Sequence, residues 1–208
     1  MTDLATPDSV FEGRTGGWIQ TSSGQPFWPL SPRPEDFNIF DIAHALSNQC
    51  RYGGHSSQFY SVAEHSVLVS EVVPPEYALD ALMHDATEAY CVDVPRPLKL
   101  QLANYAEIET GIWRALAERY ALSPELPACV HEADNAVLLA EKAVLLGPSP
   151  QPWGIPGTPA KVTIRGYPPE VARDMFLSRY AALIYLHQIN LRAQSRTLVQ
   201  TFCCAHNI

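Results

Sequence analysis

Ala81-Leu-Met-His-Asp-Ala-Thr-Glu-Ala-Tyr90 decides how this chain is read. Upstream of it, Tyr77, Ala78, Leu79, Ala81, Leu82 and Met83 form an apolar run, so a packed helix over about Pro75 to Tyr90 is predicted. That helix carries His84, Asp85 and Glu88 inward. His84 and Glu88 are four apart and Asp85 and Glu88 three apart, spacings that share a helix face. Ionisable groups persist in such a place only when paired, hydrogen-bonded or bound to a metal. Imidazole beside carboxylate points to a hard or borderline divalent ion.

Working outward, other polar residues fall on apolar faces. Ser61-Val-Ala-Glu64 reads as a capping box that opens a helix running to about Val73, with His65 in its first turns. Between about Pro124 and Leu146, Val130, Asp134, Val137, Leu138 and Glu141 share one face, which sets Asp134 on an apolar stripe. Asp93 falls in the loop beyond the Glu88 face, where Pro95 and Pro97 argue against helix. Further helices are predicted over about Asp36 to Gln49, Tyr105 to Tyr120 and Pro169 to Leu191. Residues 147–169, rich in Pro and Gly, read as a long loop. Trp18 to Leu30 reads as a hairpin turning at Ser22-Ser-Gly24, packed on the rest through Trp18, Phe27 and Trp28.

The expected architecture is all-α: a helical bundle over residues 15–195 with a small N-terminal β-hairpin, a flexible N-terminus (1–14) and a C-terminal tail (196–208). At 208 residues and 47% hydrophobic, the chain suits one domain with a sizeable core. The net charge of −8, without a Lys/Arg cluster, argues against binding a nucleic-acid polymer. No apolar run is long enough to span a membrane, and the N-terminus has no signal pattern, so a cytoplasmic protein is expected. The cysteines (Cys50, Cys91, Cys129, Cys203, Cys204) form no C-x-x-C pair and read as reduced thiols. His44, His55, His187 and His206 read as structural or exposed, while His131, three residues before Asp134, is an alternative ligand.

The order His65, His84-Asp85, Asp134 on successive helices resembles the HD superfamily of metal-dependent phosphohydrolases. Within it, the chain looks most like bacterial and prophage 5′-deoxynucleotidases and phage dATP triphosphohydrolases. The likeness is carried by Ala45-Leu-Ser-Asn48, Cys50-Arg51, Tyr60-Ser-Val-Ala-Glu-His-Ser66, the Ala81–Tyr90 stretch, Asp93-Val-Pro-Arg-Pro-Leu-Lys99 and Ala133-Asp134, together with the hairpin. It covers roughly residues 18–190.

The resemblance implies an HD-domain fold in which His65, His84, Asp85 and Asp134 ligate a divalent ion: zinc, cobalt, manganese or magnesium. It implies Glu88 and Asp93 as the catalytic acids and Arg51 and Lys99 as residues near the substrate phosphate. Tyr52 stands where the nucleotidases often have Trp beside the sugar and base, a departure that bears on substrate preference. The implied substrate is a deoxynucleotide, most simply a 5′-monophosphate cut to nucleoside and phosphate. The alternatives are a triphosphohydrolase and, from another class, a non-catalytic nucleotide-binding module. Alarmone-hydrolysing members carry an adjacent Glu-Asp pair after His-Asp, where Ala86-Thr-Glu-Ala89 has one acid. Relatives of this kind commonly form homo-oligomers.

Overall fold

The computed structural model describes the backbone of residues 11–206, with side chains through Leu186 and that of Ile189. Most of residues 1–14, and the side chains of His187, Cys203, Cys204 and His206, lie outside that description. The fold is mostly helical with one small antiparallel hairpin. Strands β1 (Ile19–Gln20) and β2 (Pro26–Phe27) pair in the register Ile19 to Phe27 and Gln20 to Pro26. The turn closes where the Gly24 amide donates to Thr21 O, with Gly24 in the left-handed region (φ 85) that glycine adopts without strain. Phe27 and Trp28 are buried, and Phe27 stacks on Tyr90 at 3.8 Å, whereas Trp18 stays 48% exposed and does not share in the packing expected of it.

The helices are α1 (Ile39–Asn48), α2 (Val62–Val72), α3 (Ala78–Met83), α4 (Glu88–Cys91), α5 (Arg96–Lys99), α6 (Tyr105–Tyr120), α7 (Ala128–Leu145) and α8 (Pro169–His206). Helix α2 is central and packs against α1, α3, α7 and α8. Every residue from Val62 to Ser70 is buried, as expected of a helix without a solvent face. Ser61 caps it by accepting from the Glu64 amide at 3.1 Å. The other half of the capping box does not form, because the Glu64 carboxylate turns away. It accepts instead from the amides of Arg165 (2.9 Å), Gly166 (3.2 Å) and Tyr167 (2.8 Å). One buried carboxylate thereby pins the end of the long 146–168 connection to the central helix.

Three boundaries differ from expectation. The helix expected over Pro75 to Tyr90 is broken into a 3₁₀ turn (Pro75–Tyr77), α3 and α4, joined by a tight turn over 84–87. There the backbone bonds run three residues back, from Ala86 to Met83 and from Glu88 to Asp85. Pro97 does not exclude helix, since it falls in the first turn of the one-turn α5, where proline's missing donor costs nothing. Helix α8 runs on to His206, past the expected end at Leu191. On α1, Ile42 and Leu46 are buried, whereas Phe40 is 65% exposed.

Candidate functional site

Three elements bring their polar groups to one point. Helix α2 supplies His65, the turn after α3 supplies His84 and Asp85, and α7 supplies Asp134. His65 Nε2 lies 3.2 Å from Asp134 Oδ1 and 3.6 Å from Asp85 Oδ2. His84 Nε2 lies 3.2 Å from Asp85 Oδ2. His65, His84 and Asp134 offer ligand atoms within 4.8 Å of one another. His131 is exposed and stands apart from the cluster, as do the exposed His44 and His55.

The orientation of both imidazoles has a local cause. His84 Nδ1 lies 2.7 Å from the Ala81 carbonyl, one tight turn earlier. A carbonyl only accepts, so Nδ1 carries the proton. His65 Nδ1 lies 2.6 Å from Glu141 Oε1, which fixes the same tautomer. Both Nε2 atoms then point among carboxylates, buried and without a hydrogen-bond partner. Two orphaned imidazole nitrogens facing two carboxylates form a donor set that fits a divalent cation. The proton on each outer nitrogen is the arrangement that metal-binding histidines adopt.

Around this core the charges interlock. Burial works against ionised Asp85 and Asp134, but the neighbouring histidines and Arg51 hold both carboxyls below the usual range. Burial and the Arg51 guanidinium oppose a charge on His65, and Glu141 and Asp134 outweigh them, lifting its pKa to about 9. Glu88 behaves oppositely. It is buried, its Oε2 has no partner, and burial followed by repulsion from Asp85 and Asp93 pushes its carboxyl well above the ordinary value. Asp93 is raised as well, by burial first and then by Asp85, against the pull of Arg51.

The remaining expected residues sit as follows. Arg51 is buried, with Nη1 3.4 Å from Asp85 Oδ2 and Nε 3.3 Å from Glu141 Oε2. Tyr52 donates its hydroxyl to Glu141 Oε2 at 2.5 Å, and its ring lies 6.4 Å from that of Trp153. Lys99 pairs with Glu109 at 2.6 Å, on the same side as Glu88 and Asp85, which help keep its charge. Two surface grooves line Glu71 and Met175 and include none of these residues.

Three participants were not singled out from sequence. Gln49 donates to the Glu88 carbonyl (2.9 Å) and accepts from the Asp93 amide (3.1 Å), clamping the segment that carries both acids. No sequence signal marks it. Arg96 binds Asp134 Oδ2 at 2.8 Å, from within the Asp93–Lys99 stretch. Glu141 was visible only as a member of the Asp134 stripe, seven residues and two helical turns on.

No protein-family model matches the sequence. Two curated proteins do. The uncharacterized protein YfdR of Escherichia coli K12 is 42% identical over 174 residues, spanning 82% of this chain and 98% of YfdR. The uncharacterized protein RCAP_rcc00048 of Rhodobacter capsulatus is 32% identical over 187 residues, spanning 80% of this chain and 95% of that protein. The chain belongs to the YfdR family. In this member of the YfdR family, no helix of the described residues is long and apolar enough to cross a membrane.

Proposed function

We propose that this protein is a cytoplasmic, metal-dependent phosphohydrolase of the HD superfamily acting on deoxynucleotides, and that it cuts 5′-deoxynucleoside monophosphates to deoxynucleoside and phosphate. The observation that carries the reading is the pair of buried, unpartnered Nε2 atoms of His65 and His84 facing Asp85 and Asp134, with the raised carboxyl of Glu88 beside them. His65, His84, Asp85 and Asp134 would hold the ion. When bound, it would polarise a phosphoryl oxygen and acidify water.

The chain's own residues supply the rest. Arg51, anchored by Asp85 and Glu141, orients the anionic phosphate through its guanidinium N–H groups. Glu88, whose carboxyl burial and repulsion from Asp85 bias toward its protonated form, donates its proton to the departing 5′ oxygen as the phosphorus–oxygen bond breaks. Asp93, held by Gln49 in the adjoining loop, orients the attacking water. Lys99 adds a positive point charge on the Glu88 side.

The preference for monophosphates rests on charge. Arg51, Arg96 and Lys99 each already face a carboxylate, which leaves little positive potential for a polyphosphate. Exposed Leu100, Tyr185 and Leu186 are compatible with assembly into a homo-oligomer.

Product analysis tests the assignment. Metal-loaded protein is incubated with panels of deoxynucleoside mono- and triphosphates, and the products are resolved by chromatography. Deoxynucleoside plus phosphate from the monophosphates is expected. Intact triphosphate from the triphosphates would replace this reading with a triphosphohydrolase. Binding without turnover, whatever divalent ion is added, would make the protein a nucleotide-binding module.

A further inference from the structure

Glu141 has no exposed surface, yet it is the most heavily engaged carboxylate near the His–Asp cluster. Its Oε1 accepts from the Tyr60 hydroxyl at 2.7 Å and faces His65 Nδ1 at 2.6 Å. Its Oε2 accepts from the Tyr52 hydroxyl at 2.5 Å and faces Arg51 Nε at 3.3 Å. An ionised carboxylate offers about four acceptor sites; two hydroxyls and an imidazole take three of them, and the Arg51 guanidinium sets its charge beside the second oxygen. An arginine partner alone would account for a core ion pair. It does not account for two tyrosines and an imidazole converging on the same group.

The consequences differ for the two histidines. His84 is oriented by the Ala81 backbone carbonyl, which no substitution removes. His65 is oriented by a side chain. Paired with the Arg51 charge, Glu141 is an ionised carboxylate that can only accept, so His65 must offer Nδ1–H to it. In the neutral ring, the form that binds a metal, that leaves the lone pair on Nε2, turned toward Asp134 and Asp85. The other carboxylate oxygen reaches Arg51, whose Nη1 lies beside Asp85. Tyr52 has a left-handed backbone (φ 60), a conformation unfavourable for a non-glycine residue, and its bond to Glu141 helps to hold it there.

We propose that Glu141 is a positioning residue that sets the metal-binding tautomer of His65 with one oxygen and aims Arg51 at the substrate phosphate with the other. The Arg51 half rests on the phosphohydrolase reading above; the His65 half needs only that the cluster binds a metal.

The test uses the full chain and its Glu141→Gln variant, isosteric but with a donor in place of one acceptor. Zinc affinity is measured by competition with a chromophoric chelator, the cobalt-loaded visible spectrum is recorded, and KM is determined for a deoxynucleoside monophosphate. Glu141→Gln is expected to bind zinc about 10–100-fold more weakly, the range found when the partner of a ligating histidine is removed. The cobalt bands should shift and KM should rise. A residue that only filled the core would lower thermal stability and leave zinc affinity and the cobalt spectrum unchanged, and that result would overturn the proposal.

If the variant does not fold, nitrogen NMR of zinc-loaded wild type decides the His65 half: Nδ1 protonated and Nε2 on the metal supports it, and the reverse overturns it. Wild type that binds zinc but hydrolyses no phosphate ester would remove the assigned function and the Arg51 half, with the affinity comparison still deciding the His65 half. Wild type that binds no divalent metal would overturn both.

Discussion

Asp85 and Glu88 are three residues apart and carry the same chemical group, yet their surroundings push their carboxyl pKa values in opposite directions. Asp85 sits among His65, His84 and Arg51, which stabilise its charge against burial. Glu88 is buried with one oxygen unpartnered and with Asp85 and Asp93 repelling its charge. Two carboxyls pushed apart in this way suit a ligand and a proton donor. Asp85→Ala should therefore lose both bound metal and turnover, because it removes a charged ligand. Glu88→Ala should keep the metal and lose about 10²–10⁴ of kcat, the usual range for a positioned acid. Metal content by atomic absorption, read beside kcat, separates the two. Metal loss in Glu88→Ala would move Glu88 into the ligand shell.

At the scale of elements, the hairpin is tied to α1 by one buried acid. Asp41 accepts from the hydroxyls of Ser22 (2.5 Å) and Ser23 (2.7 Å) and from the Ser23 amide (2.7 Å). Burial alone would raise its pKa, and these hydrogen bonds outweigh it, so the carboxyl sits below its ordinary 3.8. A depressed carboxyl stabilises the fold above its unfolded pKa, and that stability is lost as pH falls through the native value. The hairpin contact should thus hold down to about pH 4 and weaken below it. Asp41→Asn should weaken it at neutral pH by about 1.5–3 kcal/mol, as expected for hydrogen bonds to a charged group, and flatten its acid dependence. Amide exchange at Ser23 reports both. The same acid profile in wild type and Asp41→Asn would assign the effect to another group.

At the scale of the molecule, the His–Asp cluster joins α2, the turn after α3, and α7, elements distant in sequence. An ion held there links them in the native state and has no comparable site in the unfolded chain. At free metal about a hundred times Kd, linkage gives about 2.7 kcal/mol, or a Tm rise of roughly 5–10 °C for a chain of this size. Chelation should reverse the rise, and Asp134→Asn should abolish it in differential scanning calorimetry. An undiminished metal-dependent rise in Asp134→Asn would exclude Asp134 as a ligand.

The sequence alone determined the helical class, the hairpin, the Tyr105–Tyr120 helix and the inward placement of His65, His84, Asp85 and Asp134, because periodicity and caps are local signals. It did not determine the break after Met83. There the His84 ring takes up the Ala81 carbonyl and the backbone tightens to three-residue bonds, a competition that side-chain spacing cannot express. Nor did it reveal where Glu64 would turn, since the three amides it binds lie about a hundred residues away. Gln49 and Glu141 were equally hidden as partners of the site. An isolated glutamine has no pattern, and a glutamate on an apolar stripe does not name its donors. Only the packing of α7 against α2 brings Glu141 to His65, Tyr60 and Arg51, and burial there obliges each polar group to find a partner.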